Sequence, residues 1–212
     1  MKNFFLTAVV AVMGMSAAFG QVRMENVDIG VRAGYNHASF SGTVPAGFDL
    51  GSQAGFHAGL FAEIPVSPRF SIQPEALYFT QGGSLSGAMD GVSGDATIKS
   101  QYFAIPVLAK VYVIDGLNVQ VGPQIGILMG ANSELNTSAA ATVVNDDFHK
   151  DMNSFDFGGV VGLGYKFPQG FSIDARYHHG FSEVMKETNS LGQFVDNDFK
   201  NRVFSVGVGY QF

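Results

Sequence analysis

The chain has 212 residues, with 12 Lys and Arg set against 18 Asp and Glu and a formal net charge of −6. That balance makes a poor surface for nucleic acid, which favours basic patches, and the absence of Cys excludes disulfides, thiol catalysis and a lipidated amino terminus. After the first 20 residues no apolar run approaches the roughly 18–20 residues of a membrane-spanning helix, and what remains is one domain's worth of chain.

The amino terminus carries Lys2, an apolar run over residues 4–15 and small residues over 16–20. A charged start, a short apolar core and a small-residue cleavage region predict a secretory signal peptide at residues 1–20, cut before Gln21. Residues 21–212 are then one exported domain, with no wall-binding module after it.

Side chains of a strand alternate between its two faces. The first predicted strand, 27–36, sets Val27, Ile29, Val31, Ala33 and Tyr35 against Asp28, Gly30, Arg32, Gly34 and Asn36. A Gly-rich loop, 37–52, leads to the second, 56–64, where Phe56, Leu60 and Ile64 oppose His57, Gly59 and Glu63. Prolines in the turn 65–68 stop the pairing. In the third strand, 70–79, Phe70, Ile72 and Tyr78 oppose Gln73 and Glu75. A Gly- and Ser-rich loop, 82–97, precedes the fourth, 102–111, where Phe103, Ile105 and Val107 oppose Tyr102, Leu108 and Lys110. Pro74 and Pro106 predict bulges or positions whose nitrogen has nothing to donate to.

Asp115-Gly116 is a hairpin turn signal. The fifth strand, 119–128, sets Val119, Val121 and Ile125 against Gln120, Gly122 and Gln124, and a polar loop, 130–153, follows. The sixth, 155–167, sets Phe155, Phe157, Val161, Leu163, Tyr165 and Phe167 against Asp156, Gly158, Gly162, Gly164 and Lys166. After the turn 168–170, the seventh, 171–178, sets Phe171, Ile173 and Tyr177 against Asp174, Arg176 and His178. A charged loop, 180–200, leads to the eighth, where Phe204, Val206, Val208, Tyr210 and Phe212 alternate with Ser205, Gly207, Gly209 and Gln211.

Each strand is near the roughly 9–11 residues that a tilted strand needs to cross a bilayer. The connections alternate between long and short, as they do in outer-membrane barrels with short periplasmic turns. The pattern predicts an all-β, eight-stranded antiparallel transmembrane β-barrel, an up-and-down meander with both ends on the periplasmic side of the outer membrane.

Charge decides which face is inside. Asp28, Arg32, Glu63, Glu75, Lys110, Asp156, Lys166, Asp174 and Arg176 all lie opposite the apolar face. An Arg or Lys facing lipid at mid-membrane costs about 2–4 kcal/mol, so the charged face is predicted to be the interior. Eight strands enclose only enough room for side chains, and the inward glycines leave space for long ones. A packed polar lumen is predicted, not a pore, with a structural charge network drawn from Arg32, Glu63, Glu75, Lys110, Asp174 and Arg176. The closing strand is expected to face lipid through Phe204, Val206, Val208, Tyr210 and Phe212 and to be the segment met by the barrel-assembly machinery.

Five strings resemble the PorT-like outer-membrane β-barrel family: Gly30-Val-Arg-Ala-Gly-Tyr-Asn36, Gly55-Phe-His-Ala-Gly-Leu-Phe-Ala-Glu-Ile-Pro65, Ile72-Gln-Pro-Glu-Ala-Leu-Tyr78, Phe103-Ala-Ile-Pro-Val-Leu-Ala-Lys110 and Gly162-Leu-Gly-Tyr165. The resemblance spans the chain from Val27 to Phe212 and implies an eight-stranded outer-membrane barrel. Some family members are linked to protein secretion.

Two constellations invite a chemical reading. Ser182 and Glu183 lie beside His178 and His179, residue types that lipid A-modifying barrels use, but alternation sends the two histidines to opposite faces. Asp146, Asp147, His149 and Asp151 offer hard ligands without the spacing of an EF-hand, and an acidic loop run is ordinarily solvated. The sequence therefore predicts no enzyme, cofactor or metal. It predicts an outer-membrane protein with a structural or interaction role carried by its long loops. Its partners are lipid and secretion-system or other envelope proteins, and nucleic acid is not among them. A narrow channel, a secretion accessory and a lipid A-modifying enzyme are the alternatives.

Overall fold

The computed structural model describes residues 27–42, 44, 47–89, 92–137, 140–145, 152–184 and 199–212. The predicted signal peptide, 1–20, and the acidic run containing Asp146, Asp147, His149 and Asp151 lie outside the described residues.

The described strands are β1 (Asp28–Ser41), β2 (Phe48–Ser67), β3 (Phe70–Met89), β4 (Val92–Tyr112), β5 (Leu117–Thr137), β6 (Ala140–Asn145), β7 (Phe155–Lys166), β8 (Phe171–Gly180) and β9 (Lys200–Gln211). Eight of them form a closed antiparallel ring, in which β5 pairs with β7 and β9 pairs with β1. The short β6 stands outside the ring and pairs with the far end of β5, Ser133 opposite Asn145. The seam between β1 and β9 runs from Gly30↔Gln211 to Ser41↔Lys200. Closure gives every wall strand a hydrogen-bonded neighbour on each side, which a bilayer demands because it offers no water to free N–H and C=O groups.

The short turns, 113–116 and 168–170, gather at one end of the barrel with Ile29 and Phe212. Gly116 and Gly170 have φ of 83° and 88°, a left-handed backbone that explains glycine at both turns. Between β3 and β4 the ladder skips rungs opposite Pro106, and between β4 and β5 it skips them at Pro123. The register does not shift at either place, so the prolines omit hydrogen bonds and insert no bulge.

At the opposite end the strands run further than composition suggested. The stretches expected to be loops over 37–52, 82–97 and 130–153 are partly ladder: β3 and β4 stay paired from Gly82↔Lys99 to Met89↔Val92. The glycines there make room for rings instead of bending the chain. Gly83 lies beneath the Phe40 ring, and Gly87 sits opposite Phe48 and beneath its ring. Such cross-strand cover turns a Gly-rich stretch into good sheet.

Candidate functional site: the filled interior

The ring brings inward side chains from every wall strand into stacked layers. Nearest the turns, Lys110 Nζ donates to Glu63 Oε2 at 3.0 Å and to Gln73 Oε1 at 2.9 Å. Tyr112 donates its hydroxyl to Glu63, and Lys166 approaches Asp28 at 3.4 Å and Glu63 at 3.7 Å.

The next layer is built on Glu75. Arg176 grips it with Nη1 and Nη2, each at 2.9 Å, and Arg32 Nη1 adds a contact at 3.0 Å. Arg32 Nη2 donates to Asp174 Oδ1 at 2.7 Å, and Arg176 Nε lies 3.0 Å from the same oxygen. Gln73 links the two layers by donating to Glu75 at 2.6 Å while accepting from Lys110. The six predicted network residues therefore occupy one linked set of three cations and three anions, with side-chain exposure from 0% to 7%. Burial this deep is tolerable only when every charge has a partner.

Two residues missed by sequence reasoning complete this layer. His57 Nε2 lies 3.3 Å from Arg32 Nη2, and His57 Nδ1 lies 2.8 Å from Asn36 Oδ1. Arg32 only donates and the Asn36 oxygen only accepts, which fixes the Nδ1–H tautomer. Asn36 is held in turn by donating to Thr80 O at 2.9 Å. Alternation had placed both side chains inward, but only the register reveals their partners.

Beyond the ions come layers that the sequence did not single out. Ala38, Leu77, Phe79, Ala104 and Val203 form an apolar cluster. Above it lies a polar layer around Asp156, which accepts from Gln81 Nε2 and Asn201 Nδ2, both at 2.8 Å, and from Ser182 Oγ at 3.2 Å. A second apolar cluster, Phe40, Ile98, Ala131, Met152, Val184 and Phe199, caps the loop end. Backbone hydrogen bonds stitch the cap in place: Asn153 N to Val184 O at 2.9 Å and Val184 N to Phe199 O at 2.8 Å.

The constellation weighed for catalysis is divided. His178 points inward, while His179 is partly exposed and stacks on Tyr177 with centroids 6.4 Å apart. Ser182 Oγ receives Phe157 N at 2.8 Å and turns to Asp156, not to either imidazole. No serine–histidine pair forms among the described residues.

On the outside, Phe204, Val206, Val208, Tyr210 and Phe212 are all exposed, alongside Ile29, Val31, Leu60, Leu163 and Ile173. Rings gather at the turn end, Phe171 on Tyr210 at 4.8 Å and Tyr210 on Phe212 at 5.5 Å. An exterior this apolar around the whole circumference is unsuited to water and matches the apolar band and aromatic girdle of membrane barrels.

Among solved structures, the fold is similar to Neisserial surface protein A, with TM-score 0.50, 14% identity, and 89% of this chain and 100% of that chain covered. It is also similar to Ail of Yersinia pestis, with TM-score 0.47, 14% identity and coverage of 87% and 98%. OprG of Pseudomonas aeruginosa gives TM-score 0.42, 15% identity and coverage of 87% and 95%. No curated protein matches the sequence. Residues 19–186 match the family described as "Outer membrane protein beta-barrel domain". The closed eight-stranded meander with charges inside and an apolar exterior agrees with that match, and the chain belongs to this outer-membrane protein β-barrel family.

Proposed function

We propose that this is a non-enzymatic, non-conducting outer-membrane protein, exported by a signal peptide at residues 1–20, whose wall presents the loop-end strands and loops to envelope or external partners. The single observation that carries the reading is the filled interior, where ion layers, apolar cluster, polar layer and apolar cap follow one another among the described residues. In this reading the charge network of Arg32, Glu63, Glu75, Lys110, Asp174 and Arg176 ties the wall together and serves no substrate. The outward face of β9, from Phe204 to Phe212, lies against lipid and presents the closing strand to the assembly machinery.

The test is electrical. Purified protein reconstituted in planar bilayers is expected to give no stepwise conductance at voltages where a porin opens. Steady unitary openings would overturn the non-conducting reading and favour the narrow channel. The same protein solubilised from outer membranes is the bait for pull-down of a stable partner.

The PorT-like resemblance supports a second reading, an accessory of protein secretion. The matching strings contain Arg32, Asn36, His57, Glu63, Gln73, Glu75 and Lys110, all of them interior packing residues. The resemblance therefore argues for how the barrel is filled more than for what it does. Accumulation of secreted cargo in a deletion strain would favour the secretion role.

A further inference from the structure

Asp156 differs from the other buried interior acids. Glu63, Glu75 and Asp174 each meet a Lys or Arg. Asp156 is only 6% exposed, yet no Lys or Arg forms an ion pair with it among the described residues. Its partners are the amides of Gln81 and Asn201 and the hydroxyl of Ser182. Neutral donors orient a carboxylate without cancelling its charge. The layer also lies between two apolar clusters: along β9, Asn201 falls between Val203 below and Phe199 above.

His178 supplies a second, independent observation. It is 4% exposed, and neither ring nitrogen has a hydrogen-bond partner among the described residues. The ring occupies space vacated by Gly158, where a Cβ would lie 2.5 Å from His178 Nε2. Gly158 follows Asp156 by two positions, on the same inward face of β7. On its other side the His178 ring meets Phe79, with centroids 6.4 Å apart, at the top of the lower apolar cluster. Gln81 Oε1 is a third buried atom without a partner, on the amide whose nitrogen already touches Asp156. Among the described residues, the interior around Gly158 thus holds a carboxylate without a cation, two unpartnered imidazole nitrogens and an unpartnered amide oxygen.

We propose that Asp156, His178 and Gln81 form a binding site for a divalent transition cation of the zinc type, buried beneath the loop-end cap. An imidazole and a carboxylate together favour a borderline cation over magnesium or calcium. Asn201 and Ser182 steady the carboxylate from behind, the supporting arrangement metal-binding carboxylates ordinarily have. No three His, Cys, Asp or Glu converge among the described residues. The amide oxygen and water therefore complete the coordination, and the affinity is expected to be micromolar, weaker than that of a structural zinc.

The test is metal titration of the folded full-length mature protein in detergent micelles, with zinc followed by calorimetry and cobalt by visible absorption. Saturable uptake of one ion per chain is expected, weakened roughly tenfold or more in His178→Phe and in Asp156→Asn. His149→Ala, which alters the acidic run outside the described residues, is expected to bind as before. Absence of saturable uptake overturns the proposal, as does binding that survives His178→Phe and is lost in His149→Ala. Gel mobility before and after heating checks that each variant is folded. If a variant does not fold, the nitrogen resonances of His178 in the unaltered protein decide: a shift on adding zinc supports the site, and no shift overturns it.

Discussion

Replacing Glu75 with Ala is expected to lower the stability of the barrel by about 3–5 kcal/mol, the range for removing one side of a buried ion pair. Glu75 is the shared anion of Arg32 and Arg176 and also takes the Gln73 amide, so its loss leaves two deeply buried guanidinium groups short of charge. Asp174 remains, but one carboxylate then serves both arginines. Urea unfolding from phospholipid vesicles measures the effect. The chain has no Trp, so the folded fraction is read by circular dichroism or by gel mobility. A loss below about 1 kcal/mol, the level of an exposed pair, would mean that water reaches this layer. A variant in which Arg32, Glu75 and Arg176 all become apolar is expected to recover much of the loss, because burying no charge avoids desolvation altogether.

Gly34→Val is expected to be more damaging, to the point that the barrel fails to close. Gly34 lies on β1 between His57 of β2 and Gly207 of β9. A Cβ there would lie 2.7 Å from Gly207 Cα and 2.5 Å from His57 Cε1, and would press against Val206 O. Overpacking an ordinary core costs about 1–3 kcal/mol. This site is worse placed, because the backbone in the way belongs to the seam that closes the ring. An unclosed ring exposes two strand edges to hydrocarbon, where each unpaired backbone group is expensive. The expected result is loss of the heat-modifiable folded band after refolding into detergent. Ala33→Val, one residue away and facing outward, is the control and should change stability by no more than about 0.5 kcal/mol.

These sites show how far the sequence is legible. Strict alternation was enough to set the phase of every wall strand, and with it the inward direction of Arg32, Glu75 and Arg176. It did not show who meets whom. Arg32 and Asp174 are 142 residues apart, and Arg176 and Glu75 are 101 apart, so their pairing depends on register and shear accumulated around the ring. The loop-end strands were hidden for a different reason. Gly83 and Gly87 look like punctuation, and only the rings of Phe48 on the neighbouring strand and Phe40 on β1, one strand further round, show them to be sheet. Asp156 is legible as an inward acid, but that no described cation meets it is a property of its neighbours and invisible in its own strand.

The depth of the ion layers bears on the surroundings in which such a wall can work. Dissolved salt weakens attraction between charges over a Debye length of about 10 Å at 0.1 M, but only where ions can approach. The pairs of Arg32, Glu75, Asp174 and Arg176 are shut away from solvent, whereas Lys166 and Asp28 keep 29% and 41% of their side chains exposed. Of these contacts, brine can loosen the Lys166–Asp28 one at the barrel's rim, while the arginine clasp holds as firmly there as in fresh water.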